Sequence, residues 1–141
     1  MYRDLFEGAV QSIVFGLVGV GLMALGFVLV DLLTPGKLRD LIWVERNPNA
    51  ALLLVANQIG IAGIVFTAVL TSYQSFGKGL ASTVVFGLLG LAIMALAFLV
   101  LDWLTPGKLG EIICTPEPHP AARVSAATHF GAALIVCACI A

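Results

Sequence analysis

Residues 15–42 read FGLVGVGLMALGFVLVDLLTPGKLRDLI, and residues 86–113 read FGLLGLAIMALAFLVLDWLTPGKLGEII. Sixteen of these 28 positions are identical at a constant offset of 71. The register holds without a gap outside the block, pairing Gly8 with Gly79, Ala50 with Ala121, Gly60 with Gly131 and Ile64-Val65 with Ile135-Val136. The chain therefore reads as one unit copied and fused end to end, residues 1–71 and then 72–141. Two copies are too few for a solenoid.

Around that block, charge is confined to short segments. Uncharged stretches run over residues 8–30, 47–77, 79–101 and 124–141. Each reaches the roughly 18–20 residues that a helix needs to cross about 30 Å of hydrocarbon. The expected helices are Val10–Leu33, Ala50–Leu70, Leu80–Leu104 and Ala121–Ala141. The fold class is thus an all-α membrane protein, with four transmembrane helices in two tandem two-helix repeats. Two crossings per repeat return the chain to its starting side, so the repeats share a parallel orientation about an axis along the membrane normal. That argues against an inverted-repeat transporter. Thr34-Pro35-Gly36 and Thr105-Pro106-Gly107 are expected to terminate helices, because Pro cannot continue the hydrogen-bond ladder and Gly accepts unusual dihedrals. Asn47-Pro48-Asn49 and Pro118-His119-Pro120 are expected to restart them, Pro being suited to a first helical turn.

Composition narrows the function classes. Of 141 residues, 60% are hydrophobic and 11% charged, against about a quarter charged in a soluble domain. A soluble enzyme, a nucleic-acid binder and a disordered tail are excluded. Net charge is −1, and no basic patch invites nucleic acid. The N-terminal apolar run is too long for a signal-peptide core and reads as a retained membrane helix. Cys114, Cys137 and Cys139 lack metal-ligand spacing and read as small apolar packing residues. Metalloprotease, redox, nucleophile-elbow and phosphate-loop motifs are missing, so neither a catalytic residue nor a cofactor is expected.

Orientation follows from basic residues in short loops. Lys37, Arg39, Arg46, Lys108 and Arg123 fall on one side, Arg3 and Lys78 on the other. Five against two expects the TPGK loops in the cytoplasm and both termini outside.

The polar residues inside the spans are few. Gly8, Ser12 and Gly16 are spaced by four, as are Gly79, Thr83 and Gly87. Small residues at that spacing let helices approach closely in lipid, so the first and third helices are expected to meet along this stripe. Asp31 and Asp102 are the acids within the helices, three residues before each Thr-Pro-Gly. They either shape the turn, by accepting hydrogen bonds from the Thr hydroxyl or loop amides, or mark a cation or proton site at the cytoplasmic mouth. Asn57 and Gln58, with Thr128 and His129 at the matching positions, sit roughly 10–12 Å below the surface. Interhelical hydrogen bonding is their simplest role; a free imidazole titrates near neutral pH, which suits a histidine such as His129 to a proton relay, but its counterpart Gln58 cannot titrate.

A glycine-containing apolar helix, then Asp31-Leu32-Leu33-Thr34-Pro35-Gly36-Lys37-Leu38, then a second helix after Asn-x-Ala, with the motif doubled at Asp102–Leu109, resembles the YjfL family of bacterial inner-membrane proteins, a domain of unknown function. The resemblance covers nearly the whole chain. It implies a four-helix protein of the bacterial cytoplasmic membrane and brings no catalytic residue or substrate. Asn49 and Asn57 become Pro120 and Thr128 in the second half, which counts against two equivalent sites. Two functions fit these features. One is a non-enzymatic structural module in the lipid bilayer, a homo-oligomer or a subunit of a larger membrane complex. The other is a small oligomeric channel or transporter for ions or protons, lined by Asp31, Asp102, Asn57, Gln58 and His129.

Overall fold

The computed structural model describes residues 1–72 and 75–141, which form six helices: α1 Tyr2–Leu33, α2 Leu38–Trp43, α3 Pro48–Leu70, α4 Phe76–Leu104, α5 Leu109–Ile113 and α6 Pro120–Ile140. There is no strand among the described residues. α1, α3, α4 and α6 hold 32, 23, 29 and 21 residues, and each is long and apolar enough to cross a membrane. Tyr73 and Gln74, between α3 and α4, lie outside the described residues.

Helix ends differ from the hydropathy reading, for a physical reason. Loss of charge marks where hydrocarbon can begin, whereas the backbone ladder extends into the polar flank. α1 starts at Tyr2 rather than Val10, with Arg3 paired to Glu7 across one turn at 3.2 Å. α4 starts at Phe76 rather than Leu80, because the Ser75 hydroxyl accepts from the Lys78 N–H. α3 starts at Pro48, where Asn47 Oδ1 accepts from the N–H groups of Asn49 and Ala50 at 2.9 and 3.2 Å. The loops hold α2 and α5, which the sequence reading treated as plain connections. At both Thr-Pro-Gly turns the threonine is extended (ψ 133° at Thr34, 129° at Thr105) and the glycine has φ near +97° or +96°. Side chains rarely adopt that left-handed region, so the glycine is what lets the chain reverse there.

α3 is the central element, packing on α1, α4 and most extensively on α6. A Cβ built at Gly60 would lie 2.8 Å from Ala133 Cβ and 3.1 Å from Met94 Cε, so α3 touches α6 and α4 nearly backbone to side chain. Two buried apolar clusters result. One unites Leu22, Ile61, Ile64, Leu91, Met94 and Val136. The other, nearer the Thr-Pro-Gly turns, unites Val30, Leu38, Leu53, Phe98, Leu109 and Ile113. Outward positions such as Leu17, Val20, Phe66, Leu96 and Ile135 are equally apolar and exposed. Helices apolar all round are suited to lipid rather than water.

The matched small-residue stripes do not meet. On α4, Gly79, Thr83 and Gly87 are buried, with Phe15 and Leu22 of α1 beside the glycines. On α1, Gly8, Ser12 and Gly16 are exposed, and a Cβ at Gly8 or Gly16 would meet nothing within 4 Å. α1 instead approaches through Gly19, Leu22, Gly26 and Val30, the residues it buries. The same spacing has different neighbours because α4 is clasped by α1, α3 and α6, while α1 lies at the edge of the bundle.

Candidate functional site

The two aspartates occupy equivalent turns. Asp31 Oδ1 accepts from the Leu38 N–H at 2.7 Å, and Asp102 Oδ1 accepts from the Leu109 N–H at 2.6 Å. Leu38 and Leu109 open α2 and α5, where first-turn amides lack helical partners. A carboxylate is a strong acceptor there, and the bond holds each buried leucine in the lower cluster. The threonine hydroxyls do not reach the carboxylates. Thr34 Oγ1 donates to the Val30 carbonyl at 2.9 Å and Thr105 Oγ1 to the Leu101 carbonyl at 2.7 Å, each closing the last turn of its own helix.

Between the two apolar clusters lies a polar layer. Along α3 the buried face runs Leu53, Asn57, Ile61; along α6 it runs Ala122, Ser125, His129, Ala132. Asn57, Ser125 and His129 are 0% exposed. Both amide atoms of Asn57, Ser125 Oγ, both ring nitrogens of His129 and Oε1 of the half-buried Gln58 lack a hydrogen-bond partner among the described residues. Gly26 of α1 makes the room: a Cβ there would fall 2.8 Å from Asn57 Nδ2 and collide with Ile61. The His129 ring meets Phe98 edge-on, with centroids 5.8 Å apart and planes at 73°. Thr128, the counterpart of Asn57, bonds back to the Val124 carbonyl at 2.9 Å and lines an apolar groove with Ile93 and Leu96.

The five polar residues singled out from sequence thus divide into two places. Asn57, Gln58 and His129 belong to α3 and α6 at mid-bundle, while Asp31 and Asp102 are engaged in turns at one end. Asp31 lies five residues beyond Gly26, roughly 7–8 Å along the axis.

Two groups escaped the sequence reading. Ser125 completes the buried layer; its spacing of four from His129 is the signal that places both on one helix face. Asn47 and Asn49 were read only as a helix restart, yet they clasp the second half. Asn49 Nδ2 donates to the carbonyls of Glu117 and Thr115 at 2.8 and 3.1 Å, and Asn49 Oδ1 accepts from the His119 N–H at 2.9 Å. Asn47 Nδ2 donates to the Thr115 carbonyl at 3.1 Å. The Cys114 thiol donates to the Pro35 carbonyl at 2.9 Å. Burial, then Glu45 and Glu111, push that thiol's pKa above its ordinary value. Cys137 and Cys139 are also free thiols. Among the described residues no group of three His, Cys, Asp or Glu side chains could hold a metal.

This arrangement can be set beside known proteins. The sequence profile described as Domain of Unknown Function (DUF350) matches residues 4–140, both halves included. The chain belongs to this family. The DUF350 chain is 38% identical over 118 residues to a UPF0719 transmembrane protein of Mycolicibacterium paratuberculosis, covering 84% of this chain and 78% of that one. It is 31% identical over 136 residues to UPF0719 transmembrane proteins of Mycobacterium bovis and Mycobacterium tuberculosis, covering 96% of this chain and 90% of each. No solved structure matches. With these relatives and its four apolar helices, the DUF350 chain is a multi-pass transmembrane protein of unknown activity.

Proposed function

We propose that this chain is a non-enzymatic structural or accessory module of the bacterial cytoplasmic membrane that works as an oligomer or as a subunit of a larger complex. The carrying observation is the outward stripe of α1. Before Gly19 that helix buries no residue, and open space lies beside Gly8 and Gly16. Gly8 and Ser12 also line a cleft of about 710 Å³ with Phe15, Ser72 and Phe76. Small residues beside open space are where a helix of a second copy gains close packing in lipid.

The proposed topology has two tandem two-helix repeats in parallel orientation, with TPGK loops cytoplasmic and both termini outside. Sixteen identities in 28 aligned positions support the repeat. The pairing of Asn49 with His119 near the start of α3 and α6, and of Gly60 with Ala133 further along, supports a common direction. Five basic residues against two support the sidedness.

An ion or proton channel is the alternative, and the buried Asn57, Ser125 and His129 are the observation in its favour. Ile61 and Met94 on one side of that layer, and Leu53 and Phe98 on the other, weigh against a continuous polar path.

The test is Gly8→Leu with Gly16→Leu in the full chain. Both side chains would enter open space, so the monomer should keep its fold. Subunit counting in lipid nanodiscs should then shift toward monomers. A chain that is strictly monomeric before substitution, or an oligomer that survives it, refutes the homo-oligomeric form of the module.

A further inference from the structure

α2 lies at the Thr-Pro-Gly end of the bundle with one face committed. Leu38 and Leu41 are buried in the lower apolar cluster, which leaves Arg39, Asp40 and Trp43 on the outer face. Together with Lys37, Val44 and Phe27 of α1, these residues line a groove of about 630 Å³. Trp43 is 64% exposed, and its ring stands 6.2 Å from that of Phe27. Neither Lys37 nor Arg39 has an ion-pair partner among the described residues. With Asp40 the groove carries one net positive charge. Phe27 precedes the Thr34 cap by seven residues, roughly 10 Å up the span. The groove therefore joins a cationic end to an apolar wall at hydrocarbon depth.

We propose that this groove binds an anionic phospholipid, with the headgroup phosphate between Lys37 and Arg39 and an acyl chain along Phe27 and Trp43. Free phosphate would use the cations but gain nothing from the aromatic wall. A lipid uses both, and Trp at the headgroup level is well placed for it.

The second half supplies an internal comparison. At the matching positions Lys108 is retained, but Arg39 is replaced by Gly110, Trp43 by Cys114 and Val44 by Thr115. Phe98, the counterpart of Phe27, is turned into the core against His129. Gly110 is buried, and a Cβ there would fall 2.8 Å from Pro35 Cδ and 3.2 Å from the Leu33 carbonyl oxygen. α5 is thus tucked against the first half's turn, and no long side chain fits where Arg39 stands free. A groove at the matching place in the second half is lined by Phe98, Lys108, Gly110 and Glu111, but it lacks the second cation and the exposed indole, so the lipid site is assigned to the first half.

The full chain carries two tryptophans, so a Trp103→Phe background leaves Trp43 as the sole indole. Reconstituted into phosphatidylcholine vesicles, it is titrated with a minor fraction of brominated phosphatidylglycerol or brominated phosphatidylcholine, bromine quenching the nearby indole. Trp43 should be quenched preferentially by the anionic lipid. Lys37→Gln with Arg39→Gln should lower that preference by about fivefold per cation removed. Asp40→Asn should raise it, and Lys108→Gln, in the second half, should leave it unchanged. Misfolding lowers the preference in every variant, so the opposite sign at Asp40 separates binding from damage. Equal quenching by the two lipids, a preference unchanged in either first-half variant, or loss of preference in excess inorganic phosphate overturns the assignment.

Discussion

Ser125→Ala asks whether the polar layer is dry. Ser125 is fully buried on α6 and its hydroxyl has no partner among the described residues. A buried hydroxyl without a partner costs about 1–3 kcal/mol in protein mutational data. Deleting it forfeits the dispersion contacts of one oxygen atom, about 0.5 kcal/mol. The net expectation is a stabilisation of about 0.5–2.5 kcal/mol, which for a chain of this length raises Tm by roughly 2–10 °C.

Thr83→Val is the matched control. Thr83 is equally buried on α4, but its hydroxyl donates to the Gly79 carbonyl at 2.9 Å. Removing that bond should destabilise by about 0.5–1 kcal/mol. The two substitutions therefore have opposite signs. Both are read from thermal unfolding by circular dichroism in one detergent, with a reversible denaturant titration as the equilibrium check. A loss of 1 kcal/mol or more in Ser125→Ala would refute the reasoning. It would mean that the hydroxyl is bonded in the folded protein and that Asn57, Ser125 and His129 form a connected hydrogen-bonded site, which would revive the channel reading.

Two further expectations concern the end of the bundle that carries the turns. Asp31→Ala strands the Leu38 N–H beside the buried lower cluster and should cost about 1–3 kcal/mol, with Leu38 amide protection lost in hydrogen exchange. Asp31→Asn keeps an acceptor oxygen and should cost less; equal losses would show that the carboxylate charge rather than the bond matters. Alkylation of Cys114 requires thiolate, and its raised pKa should move the rise in rate to higher pH than for an ordinary exposed thiol. Glu111→Gln should bring the profile partly back down, since the negative charge beside the thiol opposes its ionisation, and an unmoved profile would refute that cause.

Much of the architecture was legible because hydrocarbon imposes a simple demand. A span must satisfy its own backbone, so an uncharged run of sufficient length has to be a helix. Each of the four runs contains a membrane-length helix, and the Thr-Pro-Gly motifs end two of these helices. The ends were misjudged by up to eight residues at α1, because side-chain caps and a polar first turn extend the ladder without changing hydropathy. α2 and α5 are too short to carry a periodic signal. The candidate site was only partly legible. Asp31 and Asp102 announce themselves by charge in apolar surroundings, but whether a carboxylate meets an amide or an ion depends on where the following loop returns. Ser125 was overlooked because one serine in a helix is unremarkable until the helices beside it are known.

The sequence decided that the chain contains four membrane-length helices, that each Thr-Pro-Gly turn has an aspartate three residues before it, and that charge is confined to the ends. These are local or one-dimensional properties, set by dihedral preference and by transfer into lipid. Tertiary structure alone decided which copy of each motif is used, and how. Matching stripes on α1 and α4 ended with opposite exposure. Phe27 faces a groove while Phe98 packs on His129. Asn49 clasps the loop over residues 115–119, whereas its own counterpart, Pro120, has no side-chain donor to do the same. The physical reason is that similar stretches of one chain cannot have identical neighbours in one bundle once their side chains differ. Close packing then amplifies a few substitutions, such as Arg39 against Gly110, into distinct surfaces.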